Sequence, residues 1–475
     1  MQRFALAGLC IAAASVSQVA LGAPLSPLPG ASLSPIWMVP FIGILLSIAL
    51  VPLTAPRFWH QHFGKTSAFW ALAFLVPFAG VFGVQLAFHE VMATLLHEYI
   101  PFMVLLLALY TVAGGIHVKG NLHGSPLLNT GLLALGTVLA SLMGTTGAAM
   151  LLIRPLIRAN DNRRHNAHVV IFFIFLVANI GGALTPLGDP PLFLGFLQGV
   201  DFFWTTQAML APTLTASAVL LAVFFIIDTW FFRRSNERRP ASRDPTPDSR
   251  LAIQGKRNLV LLLAILGSVV LSGTWQPNLE IHVFNVPLEL QNVMRDMTLL
   301  AIAWLSWRIT PRHVRQAHHF EWGPIIEVAK LFAAIFLTII PAIAMLRAGD
   351  SGVLRPLVDF VTTPDGVPDN VRYFWLTGAL SSFLDNAPTY LVFFNMAGSD
   401  AAMLMGPLAT TLVAISGGAV FMGAMTYIGN APNFMVKSIA ERRGIRMPSF
   451  LGYTAWSCGI LLPVFALITA LFFAG

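Results

Sequence analysis

The sequence predicts an all-α polytopic membrane protein made of two inverted repeats, each with a re-entrant hairpin and a broken transmembrane helix. Three observations carry that prediction. Of 475 residues, 56% are hydrophobic and 10% charged, against roughly 25% charged in a soluble domain. Apolar runs near the ~20 residues needed to cross a bilayer recur at 36–54, 66–88, 99–117, 167–185, 208–232, 257–273, 323–346 and 450–474, with a weaker run at 294–310. Finally, two motifs recur in the same order in the two halves, on segments whose flanking charges point opposite ways.

The N-terminal stretch 1–23 has a basic start, an apolar middle and an Ala-Leu-Gly-Ala end. It reads either as a secretory signal peptide or as an uncleaved first membrane helix. Residues 24–65 then hold one membrane helix and a loop.

The net charge of +7 raises the question of a nucleic-acid partner. The stretch 233–257, rich in Arg, Pro, Ser and Asp, reads as a disordered linker and carries eight basic residues (Arg233 to Arg257) against Glu237, Asp244 and Asp248, eight minus three, or +5 of that total. The remaining clusters, such as Arg154/Arg158/Arg163/Arg164 and Lys437/Arg442/Arg443/Arg446, all flank hydrophobic spans. The positive-inside rule accounts for them as cytoplasmic loops, so no nucleic-acid partner is expected. Cys10 and Cys458 have no partner at metal-ligand spacing.

Topology follows from these loops. The spans 66–88 and 99–117 are separated by an outside loop holding Glu90 and Glu98, and 127–157 has basic residues on both sides. It therefore enters and leaves on one face, as a hairpin turning at Gly144-Thr145-Thr146-Gly147. The broken helix 167–198 completes the core of repeat 1, which covers 66–232. A connecting helix and periplasmic loop occupy 258–293. Repeat 2, residues 294–475, reverses the pattern, with a hairpin at 373–397 flanked by an acidic loop and a broken helix at about 402–440.

The internal repeat aligns ALTPLGDPPLF at 183 with AMTYIGNAPNF at 424, an offset of 424 − 183 = 241. Thr185 pairs with Thr426, Gly188 with Gly429, and Asp189 with Asn430. For the hairpins, pairing Ser141 with Ser381 gives an offset of 240 and sets Thr145 and Thr146 opposite Asp385 and Asn386. Inverted repeats of this kind mark secondary transporters.

The prolines explain why these segments break. Pro186, Pro190 and Pro191 interrupt the helix, and unwound backbone in a bilayer is tolerable only around a protein-lined or water-filled cavity. Such a break frees amides and carbonyls near mid-membrane, where they can hold an ion. A carboxylate there is costly unless it is functional. Asp385 and Asp189 are therefore expected to bind either a proton or a sodium ion.

The segments Leu384-Asp385-Asn386-Ala387-Pro388-Thr389, Asn179-Ile180-Gly181-Gly182…Gly188-Asp189-Pro190-Pro191 and Gly429-Asn430-Ala431-Pro432-Asn433 resemble the ion transporter superfamily. The nearest branches are the NhaD-type sodium/proton antiporters, arsenite permeases and citrate transporters of CitMHS-like type. The resemblance implies a central site formed by two hairpin tips and two broken helices, in a homodimer with a separate scaffold. One departure stands out: the antiporter pattern has an Asp-Asn pair in the first hairpin, where this chain has Thr145-Thr146. Hydroxyls do not carry a proton at neutral pH, and neutral, hydroxyl-rich tips are typical of the organic-anion carriers.

The expectation is a secondary transporter of the bacterial inner membrane, without cofactor, whose partners are the bilayer and its transported solute. Sodium/proton antiport, with Na+ and H+ as transported ions, is the leading version. Sodium- or proton-coupled uptake of citrate or another organic anion is the alternative. The expected ion- or substrate-binding residues are Thr145, Thr146, Asn179, Thr185, Gly188, Asp189, Asp385, Asn386, Thr389, Thr426, Gly429 and Asn430. Asp385 and Asp189 are the expected proton carriers, with Na+ at Asp385, Asn386 and Asn430. Against an enzyme stands the absence of a nucleophile–base arrangement, an HExxH pair or a GxxxxGK[ST] loop.

Overall fold

Eight helices among the described residues are long and apolar enough to cross a membrane: Pro35–Thr54, Pro56–Phe82, Val84–Ala113, Pro126–Met143, Ala167–Leu184, Phe202–Arg233, Arg257–Thr274 and Phe450–Phe472. A ninth is formed if Gly323–Thr338 and Ile340–Arg347, bent by 41° at their junction, are counted as one span. The chain is an all-α polytopic membrane protein. The computed structural model describes residues 28–121, 123–234, 249–317 and 320–474. The expected signal peptide or first helix at 1–23 lies outside the described residues, as do Cys10 and linker residues 235–248.

Burial separates the centre from the lipid-facing shell. The span Ala167–Leu184 is 89% buried, whereas the other seven range from 17% to 44%. Its sequence, from His168 through Ala183, carries bulky apolar side chains all round, as a helix enclosed by other helices must. Both hairpins turn where the sequence predicts. The first pairs Pro126–Met143 with Thr145–Ala159, and the second pairs Asn370–Phe383 with Asn386–Met396. Gly144 sits between the first two arms at φ +80°, ψ 149°, a backbone conformation open to glycine and strained for other residues.

Each broken helix resumes after a short unwound stretch. The first runs Ala167–Leu176, a 3-10 turn at Ile180–Leu184, then Pro190–Leu197; the second runs Ala409–Met422, a 3-10 turn at Gly423–Met425, then Ala431–Arg442. Thr185 and Asp189 are extended, with Pro190 opening the second arm. Proline suits that first-turn position because its missing N–H would have had no helical partner there.

Three expectations need correction. Glu90 and Glu98 are not on a loop between spans 66–88 and 99–117; they lie on one helix, Val84–Ala113, which contains a π-helical turn at Leu95–Tyr99. The break falls earlier, at Gly83 (φ +90°), and the charged residues are accommodated because they line a large cavity. The linker is also not structureless to its end: Ser249–Gln254 forms a strand antiparallel to His117–Asn121. This pairing supplies the backbone hydrogen bonds that a short apolar sequence such as Leu251-Ala252-Ile253 alone does not reveal. The outside connection near residue 280 is a β-hairpin, Glu280–Val283 against Val286–Glu289. Its turn residues Phe284 and Asn285 both have positive φ, 53° and 62°, as a tight two-residue hairpin requires.

Candidate functional site

Asp189 is the N-cap residue of the second arm of the first broken helix, and it makes no capping bond with its own helix. An aspartate at such a position normally accepts an amide N–H one turn on. Here the carboxylate turns inward instead. Its Oδ1 accepts from Thr145 Oγ1 at 2.9 Å and from Asn430 Nδ2 at 3.1 Å, and its Oδ2 accepts from Asn386 Nδ2. The three donors come from the first hairpin tip, the second broken helix and the second hairpin tip. Asp189 is 2% exposed, and no Lys, Arg or His pairs with it among the described residues. Its three hydrogen-bond partners are all neutral.

The repeat is visible in the hydrogen bonds themselves, and it fixes the register. Ser141 Oγ donates to Gly181 O at 2.5 Å, while Thr185 Oγ1 donates back to Ser141 O. In the second half, Ser382 Oγ donates to Met422 O at 3.1 Å, and Thr426 Oγ1 to Ser382 O at 2.5 Å. Each pair of equivalents differs by 241, as 382 − 141 and 426 − 185 show. The hairpin offset of 240 is therefore off by one: Ser141 matches Ser382, Thr145 matches Asn386, and Gly144 matches Asp385. The doublet Ser381-Ser382 hid the true partner.

Close backbone approach repeats as well. A Cβ on Gly188 would lie 2.1 Å from Gly182 O, and one on Gly429 would lie 2.6 Å from Gly423 O. Thr145 N donates to Gly188 O at 2.8 Å, which ties the first hairpin tip directly to the first break.

The other expected residues occupy different roles. Asp385 is the N-cap of the second hairpin's return arm, and its carboxylate accepts from Ala387 N at 3.1 Å. It is half-buried at the tip and makes no hydrogen bond to Asp189. Of the expected sodium set Asp385, Asn386 and Asn430, the last two hydrogen-bond Asp189, while Asp385 Oδ1 accepts from its own helix end. Thr389 Oγ1 donates to Asp385 O at 3.0 Å. Thr146 is half-buried beside the tip and contributes no hydrogen bond to the cluster.

Asn179, fully buried, links the two breaks. Its Nδ2 donates to Asn433 Oδ1 at 2.7 Å and to Ile174 O at 2.8 Å, and its Oδ1 accepts from Asn430 Nδ2 at 3.3 Å. Asn433 holds the unwound stretch by donating to Gly423 O and Thr426 O at 2.8 and 2.9 Å. Asn433 was not among the residues expected from the sequence, although it lies within the second break motif. Its counterpart 241 positions earlier is Leu192, so the repeat itself gives no hint of it. One acceptor at the centre remains unused: Asn386 Oδ1 is buried without a partner.

The Asp189 carboxylate is met by one hydroxyl and two amide N–H groups; turning the two side-chain amides would present oxygens instead, the ligand type that selects a hard monovalent cation. Among the described residues, no positive side chain hydrogen-bonds or ion-pairs with this cluster.

Comparison with known proteins agrees with a transport role. A family model described as "Putative citrate transport" matches residues 30–473. Two mycobacterial proteins named as uncharacterized transporters, from Mycobacterium bovis and Mycobacterium tuberculosis, are each 24% identical over 329 residues, spanning 68% of this chain and 71% of theirs.

Proposed function

The chain belongs to this citrate-transport family, CitMHS_2, and is a transporter rather than an enzyme; from that premise we propose a cation-coupled secondary carrier in which Asp189 holds the coupling ion. One observation carries the reading: a buried carboxylate gripped by three neutral donors from both repeats, with no positive partner among the described residues. A buried charge without a counter-charge costs several kcal/mol even when hydrogen-bonded. Binding H+ or Na+ removes that cost, so the two ions compete for one site, and competition at a shared site is exchange. Sodium/proton antiport across a bacterial inner membrane follows as the leading version. The unpartnered Asn386 Oδ1 supplies a further ligand for the metal ion.

The family supports a second reading, in which the ion held at Asp189 drives uptake of citrate or a related organic anion. Proteoliposomes containing a pH-sensitive dye separate the two. Antiport predicts sodium-driven proton efflux without citrate. Proton movement that requires citrate, accompanied by uptake of labelled citrate, replaces antiport with symport. Sodium- and proton-independent transport by either assay overturns the role of Asp189.

A further inference from the structure

On the arginine-rich face, which the positive-inside rule assigns to the cytoplasm, an open pocket of about 720 Å³ lies between the end of helix Leu290–Ile309, the short helix Arg312–Ala317 and the chain at 320–321. Its wall includes Trp307, Arg308, Arg312, Arg315, Phe320 and Glu321, three positive charges against one negative, three minus one, or +2. None of these residues belongs to a hairpin or a broken helix, so the pocket is separate from the ion site at Asp189.

The three arginines are used differently. Arg315 is 7% exposed. Its Nη1 donates to Thr111 O at 3.1 Å and its Nη2 to Ser306 O at 2.9 Å, and its guanidinium lies 4.6 Å from the ring centroid of Trp307 and 5.0 Å from that of Phe320. It is a fixed back wall that contributes charge while its amino groups are engaged with carbonyls. Arg308 and Arg312 are exposed, and neither has a hydrogen bond or an ion pair among the described residues. A guanidinium carries its donors in a planar fork that matches phosphate, and two such forks are unspent here.

The approach to the pocket along its helix is apolar. Met297, Leu300 and Trp304 are 63%, 39% and 59% exposed, and with Arg308 they fall at i, i+3, i+7 and i+11, one stripe of the helix. The Arg308 guanidinium lies 5.4 Å from the ring centroid of Trp304, at the head of that stripe. Trp307 and Trp322, with ring centroids 5.0 Å apart, mark the level of the membrane–water boundary, where tryptophan is enriched. We propose that this pocket receives the phosphate of an anionic phospholipid of the cytoplasmic leaflet, with an acyl chain lying along Met297, Leu300 and Trp304. Arg308 and Arg312 donate to the phosphate oxygens in charge-assisted hydrogen bonds, and Arg315 adds positive potential from behind. Basic pockets beside membrane helices on the cytoplasmic side suit such headgroups. A soluble phosphate matches the arginines but leaves the apolar stripe unused, which favours the lipid. The inference goes beyond the reading of Asp189 and does not depend on it.

The test is native mass spectrometry of the purified full chain in detergent, titrated with phosphatidylglycerol and, separately, with phosphatidylcholine, whose headgroup has no net charge. The wild type is expected to retain phosphatidylglycerol in preference. Arg308→Gln combined with Arg312→Gln should weaken phosphatidylglycerol by about fivefold for each arginine removed and leave phosphatidylcholine unchanged. Removing the same charge elsewhere on the cytoplasmic face, with Arg57→Gln and Lys65→Gln, should change neither. Trp304→Ala should weaken phosphatidylglycerol several-fold with both arginines intact. If the double arginine variant fails to fold, Arg312→Gln alone decides the matter. No preference in the wild type, unchanged phosphatidylglycerol in the arginine variant, or an equal loss in the Arg57/Lys65 variant each overturns the proposal. Full displacement of phosphatidylglycerol by inorganic phosphate, with binding unchanged in Trp304→Ala, assigns the pocket to a soluble anion and overturns the lipid.

Discussion

Asp189 and Asn430 occupy the same backbone position in two repeats 241 residues apart, and the amide of one donates to the carboxylate of the other at 3.1 Å. Equivalent residues can touch in this way only near the axis that relates their repeats. The single acid of the pair therefore lies near the pseudo-symmetry axis, reached from one side by Thr145 and from the other by its equivalent Asn386.

Replacing Asp189 by Asn removes a buried charge while preserving its shape. We expect Asp189→Asn to fold at least as stably as the wild type, with a gain on the order of 1–3 kcal/mol at neutral pH, because uncompensated buried charge is destabilising. Coupled ion movement should be lost. Thermal unfolding and dye-loaded proteoliposomes check the two halves; a variant that unfolds early while still exchanging ions would contradict both.

Asp385 provides the contrasting case. Because its carboxylate caps the second hairpin arm, Asp385→Ala should destabilise by about 1 kcal/mol, whereas Asp385→Asn, which can still cap, should lose no more than a few tenths. Transport by Asp385→Asn should remain within about tenfold of wild type. Complete loss of proton movement in that variant would restore Asp385 as a proton carrier.

The touching glycines set a steric limit. Gly188→Ala forces a methyl group against Gly182 O at 2.1 Å, with backbone on both sides and no flexible side chain to yield. A cost of about 3 kcal/mol or more is expected, visible as reduced yield and a lowered unfolding temperature. Gly429→Ala meets Gly423 O at 2.6 Å and should be less severe. Equal tolerance of both changes would show that the breaks are not packed as described.

A buried polar network fastens the other end of repeat 1. Asp228, 0% exposed, accepts from Arg163 at 2.6 and 3.1 Å, from Asn129 at 3.0 Å, and pairs with His168 at 2.7 Å. It joins the first hairpin, the first broken helix and the long helix Phe202–Arg234. Arg163→Ala leaves the acid without its guanidinium and should cost about 3–5 kcal/mol. Combining it with Asp228→Asn should cost less than the sum, because the two changes act on one interaction. Chemical or thermal unfolding of the double-mutant cycle measures this; strict additivity would mean that the pair is not coupled.

Much of this arrangement is legible in the sequence because hydrocarbon solvent is so restrictive. Pro190 and Pro191 after Gly188, and Pro432 after Gly429, can interrupt a membrane helix only around an internal cavity, and Gly144 in an apolar stretch marks a reversal. What is not legible depends on local dihedral angles and on distant partners. Nothing in the residue names tells that Asp385 caps its own helix while Asp189, in a similar place, does not. Arg163 reads as one more cytoplasmic basic residue until Asp228, 65 positions away, is brought beside it. Asn433 and Arg315 owe their significance to what surrounds them in three dimensions, and the strand at 249–254 to a partner more than a hundred residues earlier.

The lone acid near the axis has an electrical corollary. A carrier whose two halves match in backbone but not in charge is neutral at its centre when a monovalent ion is aboard, and singly negative when empty. Exchange of H+ for Na+ keeps the site loaded and neutral in both directions and so insensitive to voltage, whereas a symport cycle returns empty with one negative charge, at about 2.3 kcal/mol per charge for each 100 mV if the full field is traversed. Duplication built the frame, and the carboxylate that one copy carries at this position and the other does not determines how the cycle responds to voltage.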